Sequence, residues 1–130
     1  METYTLGLGC ERGCDPAELL ALAEHVITTA GRDISRLAGL FTIDQRMNEP
    51  AIVYVATRLA VPLYAFDAAR LEVETPRLLN PSAQVFALVG CHGVAEAAAL
   101  AGAGSKAQLI VGKTKSAHAT AALAVYNAIP

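Results

Sequence analysis

Residues 3–31 read TYTLGLGCERGCDPAELLALAEHVITTAG, and this stretch decides the fold class. Thr3 to Gly9 alternate and close on glycine, the pattern of a strand that stops in a tight turn. Asp15-Pro16-Ala17-Glu18 then supplies a helix start. Asp15 offers a side-chain acceptor at the cap, Pro16 sits where its missing N–H costs nothing, and Glu18 stands three residues past the cap. Leu19, Leu20, Leu22, Ala23, Val26, Ile27 and Ala30 follow at helical spacing, and Gly31 closes a helix predicted over 16–30. Strand, glycine-marked turn and helix together form the opening unit of an α/β domain.

The alternation continues downstream. Ile34 to Ile43 is predicted as a buried second strand. Pro50 to Ala60 reads as a helix with proline in its first turn and Val61-Pro62 as its stop. Leu63 to Phe66 reads as a third strand, and Asp67 to Leu71 as one helical turn. Residues 72–82, with Pro76, Pro81 and Asn80, carry no regular signal. Gln84 to Val89 fits strand or helix equally. Gly93 to Ala101 is predicted helical, with alanines around Glu96. Ala107 to Val111 reads as a strand and Lys113-Thr114-Lys115 as a polar turn. Ala119 to Tyr126 favours helix on propensity, while its Thr, Val and Tyr leave strand open. The expectation is one α/β domain over residues 1–130 with a mostly parallel sheet flanked by helices. Ligands of such sheets bind beyond the carboxyl ends of the strands, so the loops at 7–14, 43–50 and 112–116 are expected along one edge.

Composition narrows the function classes. With 130 residues, 54% of them hydrophobic and 17% charged, and mean hydropathy +0.40, the chain has a core and is not disordered. No apolar run reaches the roughly 18–20 residues of a membrane span; Ala51 to Ala69 is interrupted by Arg58, Pro62 and Asp67. Met1-Glu2-Thr3-Tyr4 lacks a basic leader region, so a soluble cytoplasmic protein is expected. Cys10, Cys14 and Cys91 are an odd number without an export signal and read as reduced thiols. Net charge is −2 but uneven: residues 1–74 hold eleven acids and six bases, residues 75–130 one acid, Glu96, and four bases. Four bases and no Trp are too little for a nucleic-acid surface, and a small anionic ligand is the better match.

The loops hold the candidate chemistry. Gly7-Leu8-Gly9-Cys10-Glu11-Arg12-Gly13-Cys14 misses the G-x-G-x-x-G nucleotide fingerprint by one position. Its glycines are expected to open the backbone to a ligand, Arg12 suits a carboxylate, and the amides opening the first helix attract an anion. A plain strand-to-helix turn with a solvated Arg reads the same way. Cys10, Cys14 and Cys91-His92 offer zinc's ligand types at a spacing that fits no ribbon or finger, so no metal is expected. Asp44-Gln45-Arg46-Met47-Asn48-Glu49 places two carboxylates near an Arg, suited to acid–base work or to polar binding, or simply solvated ahead of a helix. Gly112-Lys113-Thr114-Lys115-Ser116 lacks the first glycine and the following helix of a P-loop. Its two lysines at spacing two share a face and suit a ligand with several carboxylates.

Taken in order, Gly-x-Gly-Cys-x-Arg-Gly, Thr42 to Glu49, the block from Val89 to Leu100, and Lys113-x-Lys115 followed by Ala119 to Ala124 resemble the CobE/CbiG carboxyl-terminal domain family of cobalamin biosynthesis. The resemblance runs along essentially the whole chain and is closest to the stand-alone branch; longer members carry added amino-terminal regions. It implies that Ser82 to Val89 is helical and that Ala119 to Tyr126 is a final strand paired with Ala107 to Val111. Arg46 stands where Lys is common in the family, which keeps the charge and changes its geometry. Gly93 stands where Ser usually begins a capping box, so only the Glu96 half remains and a weaker cap is expected. The resemblance further implies a precorrin or corrinoid intermediate as ligand, a flat apolar ring edged with acetates and propionates.

Gly9, Cys10, Arg12, Arg46, Glu96, Lys113 and Lys115 are the expected binding residues, with the four cations on the carboxylates and no resident cofactor. Two readings follow. One is a carrier or accessory factor for that intermediate, working alongside other enzymes of the pathway. The other is a hydrolase-type enzyme acting on the ring lactone, with Asp44 or Glu49 as general base and His92 as proton shuttle. A subunit of a pathway complex with no ligand of its own is the plainer alternative.

Overall fold

Strand β1 (Glu2–Cys10) has two unlike faces, and the molecule is arranged around that difference. Tyr4, Leu6 and Leu8 point into one core with Leu19, Leu22, Ala23 and Val26 of α1 (Pro16–Ala30) and Ile52 and Val55 of α2 (Pro50–Leu59). Thr5 and Gly7 face the other way, toward α5 (Ala95–Ala103), where the Thr5 hydroxyl donates to the Ala99 carbonyl at 2.6 Å. Helices therefore cover both sides of the sheet, as a sheet buried on both faces requires. The computed structural model describes residues 2–127, so the expected 1–130 domain span runs past the described residues at both ends.

The sheet has five strands in the order β3-β2-β1-β5-β4, with β2 at Leu37–Ile43, β3 at Leu63–Phe66, β4 at Gln108–Lys115 and β5 at Ala119–Asn127. β1, β2 and β3 run parallel, and β5 is antiparallel to both β1 and β4. β4 consequently points the same way as β1. The expected architecture, a mostly parallel sheet flanked by helices with a carboxyl-terminal strand pair, is the one observed. Among the described residues no helix is long and apolar enough to cross a membrane.

Local signals place most boundaries. Asp15 caps α1 through the Ala17 N–H at 2.9 Å and Gly31 closes it in the left-handed region, φ 64°. Four segments differ from expectation. Residues 34–36 form a 3-10 turn because the Asp33 carboxylate takes the Ser35 N–H at 2.9 Å, so β2 begins only at Leu37. The helix expected from Gly93 starts two residues later and runs to Ala103.

Residues 72–82 are held rather than irregular. After α3 (Ala68–Glu72), the buried Glu74 accepts from Arg70 at 2.7 Å and from Arg77, and Arg77 reaches on to the Gly104 carbonyl at 3.1 Å. Lys113 to Lys115 is strand, not turn. β4 is irregular between Val111 and Thr114, then pairs again through Lys115 and Thr120, and the chain reverses at residues 116–118. At that irregularity the Lys113 N–H donates to Glu96 at 2.8 Å, a long-range bond no turn signal encodes.

Candidate functional site

Beyond the carboxyl ends of β1 and β4 lies a cavity of about 560 Å³, walled on the far side by α4 (Ala83–Val89) and the start of α5. That volume is in the roughly 300–1,000 Å³ range of small-molecule sites. Arg12, Arg46, Lys113 and Lys115 stand around it, and Val85, Leu88, Val89 and Val94 supply its apolar wall. The three expected loops do meet on one sheet edge. Gly9, Cys10, Arg12, Arg46, Glu96, Lys113 and Lys115 all line the cavity; Asp44, Glu49 and His92 do not.

The last three lie outside it. Asp44 is exposed at the head of a 3-10 turn, and Glu49 accepts the Gly13 N–H at 3.2 Å. His92 turns outward: its Nδ1 lies 2.8 Å from Glu72, its N–H donates to the same carboxylate at 2.9 Å, and its ring stacks on Phe86 with centroids 4.5 Å apart. At the start of α1 the Asp15 carboxylate takes the Ala17 N–H, and in the loop just before it Glu49 takes the Gly13 N–H. The first glycines also allow close packing within the protein, and Gly9 lines the cavity as well. A Cβ at Gly7 would meet the Ala95 carbonyl oxygen at 1.9 Å, and one at Gly9 would meet Thr120 Oγ1 at 2.8 Å, so α5 and β5 fill that space.

The cavity wall is organised by two glutamates that local pattern assigns to helix caps. Glu96, 2% exposed, does not turn back on α5, whose Val94 cap has no side-chain bond. Its Oε1 accepts from the Leu79 and Asn80 N–H groups, each at 3.0 Å, and its Oε2 from Asn80 Nδ2 and the Lys113 N–H, each at 2.8 Å. Both oxygens are thereby filled by protein donors, and Glu96 joins the 79–80 loop to β4 rather than offering a free carboxylate to a ligand. Glu18 crosses from α1 to the β4–β5 turn. It accepts from the Ser116 hydroxyl, from the His118 N–H at 2.7 Å, and pairs with His118 Nδ1 at 3.0 Å. Arg46 uses the directional fork of its guanidinium, donating from Nε to the Cys10 carbonyl at 2.8 Å.

Electrostatics distinguish the wall residues. Burial, reinforced by nearby Cys14 and Glu49, pushes the Cys10 thiol up to about 12, so it stays protonated and is no nucleophile. Burial and the adjacent Lys115 charge depress the Lys113 ammonium, with Glu96 opposing them. Among the described residues no acceptor takes the side chains of Arg12, Lys113 or Lys115. His118, Ser116, Asn80, Val85 and Leu88 also line the cavity and are not among the expected binding residues. The only local signal for His118 is its place just past the lysine pair.

The Glu18–His118 contact has a defined pH window. Its bonds to Ser116 and His118 hold Glu18 at about 2, below its ordinary 4.5, so its contribution is complete above 4.5 and lost as pH falls toward 2. His118 is raised from 6.5 by the same carboxylate, so its contribution is complete below 6.5 and lost as pH rises through the raised value. NMR titration of His118 is expected to show that raised midpoint, and Glu18→Gln to return it toward 6.5.

The family model described as "Cobalamin synthesis G C-terminus" matches residues 4–124. "Protein CobE" of a Sinorhizobium species is 56% identical over 119 residues, 92% of this chain and 77% of that protein. "Cobalt-precorrin-5A hydrolase" of Priestia megaterium is 27% identical over 124 residues, 95% of this chain but 32% of that protein. Among solved structures, CobE from the cobalamin (vitamin B12) biosynthetic pathway superposes with TM-score 0.88 at 38% identity, covering 97% of this chain and 92% of that one. Cobalamin biosynthesis protein chiG from Agrobacterium tumefaciens gives 0.72 at 25% identity, covering 94% and 97%. With a cationic cavity on the sheet edge and a family match spanning nearly every described residue, the chain belongs to the cobalamin synthesis G carboxyl-terminal family of cobalamin biosynthesis proteins.

Proposed function

We propose that this chain binds a precorrin or corrinoid intermediate of cobalamin synthesis in the sheet-edge cavity, as a carrier or accessory factor for the enzymes of the pathway. The observation that carries the reading is the pairing of four cations, Arg12, Arg46, Lys113 and Lys115, with an apolar wall from α4 and α5 around one cavity. A ring edged with carboxylates presents the complementary surface: charge at its rim and apolar faces between. Lys113 and Lys115 repel one another, and an anionic ligand relieves that repulsion.

Anaerobic mixing of the protein with the trapped tetrapyrrole intermediates of the pathway, followed by absorbance and mass of the bound species, tests this directly. A perturbed spectrum with unchanged mass supports a carrier. A mass change with turnover favours the second reading, hydrolysis of the ring lactone, for which the name of the Priestia megaterium relative is the motive. Absence of binding leaves only a subunit role.

The double substitution Lys113→Ala/Lys115→Ala is expected to weaken binding by roughly tenfold to a hundredfold, the exposed Lys115 contributing the smaller share. The loss should shrink as salt rises, because the missing contacts are ionic. Equal affinity at low salt would remove the lysines from the site.

A further inference from the structure

We propose that His118 contacts the bound ligand directly, donating from its ring Nε2 to a tetrapyrrole carboxylate, and that Glu18 is the residue that positions it. The inference rests on the binding reading above and adds a residue, a positioning partner and a pH dependence to it. His118 lines the cavity, and its side chain is 56% exposed. One glutamate fixes it at two points: Glu18 Oε2 takes the His118 N–H at 2.7 Å and Glu18 Oε1 faces Nδ1 at 3.0 Å. With Nδ1 committed to the carboxylate, Nε2 is the ring nitrogen left for a ligand. Among the described residues it has no partner.

Chemistry then sets the pH at which this contact exists. In the imidazolium Nε2 carries a proton and donates to a carboxylate, whereas in the Nδ1–H neutral form it presents a lone pair and repels one. Two acids facing the ring favour the cation: Glu18 from α1, which dominates, and Glu11 from the β1–α1 loop, whose N–H also holds the His118 carbonyl at 3.0 Å. Burial acts in the opposite sense, and Arg12 of that loop, Arg46 after β2, and Lys113 and Lys115 of β4 share the cavity. A polycarboxylate entering among them offsets their charge and favours the imidazolium further. The Cys10 thiol on the same wall is protonated and contributes no charge. Among the described residues His118 is the one histidine that lines the cavity.

The test uses uroporphyrin, a flat tetrapyrrole bearing acetates and propionates, titrated by fluorescence over about pH 6 to 8. Its methyl ester serves as the uncharged control. The intact protein is expected to bind the acid and not the ester, losing affinity by about tenfold across this range. His118→Gln should flatten the profile at the high-pH affinity, and Glu18→Gln should move the midpoint to lower pH. No binding by the intact protein overturns the tetrapyrrole reading and this inference with it. Binding with an unaltered pH profile in both variants overturns the role of His118 alone. Weakening by the same factor at every pH marks a distorted turn rather than a lost contact, and overturns it equally.

Discussion

Replacing Glu96 with alanine is expected to destabilise the protein by roughly 3–5 kcal/mol, out of a total of about 5–15 kcal/mol for a domain of this kind. The carboxylate is buried, and burying it has a desolvation cost that only its four donors offset. Alanine removes the acceptor and leaves the Leu79, Asn80 and Lys113 N–H groups and the Asn80 amide without it. Where water does not reach them, donors left unmade cost more than the bonds themselves contribute. Glu96→Gln should fall between the two: whichever way its amide lies, an NH2 replaces an acceptor and faces backbone donors. Urea denaturation with an unchanged slope checks both. A cost below about 1 kcal/mol for the alanine variant would mean that solvent satisfies the 79–80 loop. Cavity binding should fall with stability, because the Lys113 backbone and Asn80 are both fixed through this carboxylate.

Gly7→Ala is expected to cost as much for a different reason. The added Cβ lies 1.9 Å from the Ala95 carbonyl oxygen and 2.8 Å from the Ala99 nitrogen, and both obstacles are backbone, so no rotamer change relieves them. α5 must move off the sheet by more than an ångström, breaking the Thr5–Ala99 bond and opening the Ala97, Ala98 and Ala99 packing. The expected loss is at or beyond the upper end of the roughly 1–3 kcal/mol that overpacking costs. Gly13→Ala separates sterics from backbone strain. Position 13 has φ 78° with nothing near its Cβ, so only the left-handed penalty of about 1–2 kcal/mol applies. Thermal or urea unfolding of the two variants side by side decides the matter; equal losses would mean that α5 yields for only about 1–2 kcal/mol.

These substitutions separate what the chain encodes locally from what it does not. Asp15, Pro16 and Gly31 fix α1 because a cap, a proline and a left-handed glycine act within a turn of their own position. Pro50 and Pro62 bracket α2 for the same reason. Glu18 and Glu96 each sit where a capping-box glutamate belongs, and each instead reaches into the hairpin region: Glu96 to Lys113 of β4, 17 residues on, and Glu18 to Ser116 and His118, 98 and 100 residues on. Locally the two read Asp-x-x-Glu and Gly-x-x-Glu, and neither pattern names the partners the carboxylate finds. Which donors a carboxylate finds is decided by the topology that delivers them. The Ala-rich segment from Ala119 is a comparable case, since its propensity favours helix. Its place between β1 and β4 makes it a strand, and its small side chains let α5 approach.

For the site, the sequence by itself determined which loops gather at the sheet edge and that their charge is cationic. Strand direction and the i, i+2 face of Lys113 and Lys115 follow from alternation and spacing. Only the tertiary structure decided which titratable groups share the cavity. Asp44, Glu49 and His92 read as chemistry but are exposed or bound to Gly13 and Glu72, while His118 lines the cavity and is held by Glu18. Side-chain direction at a loop depends on the nearest long-range partner, and a carboxylate one hundred residues away leaves no trace in the local sequence.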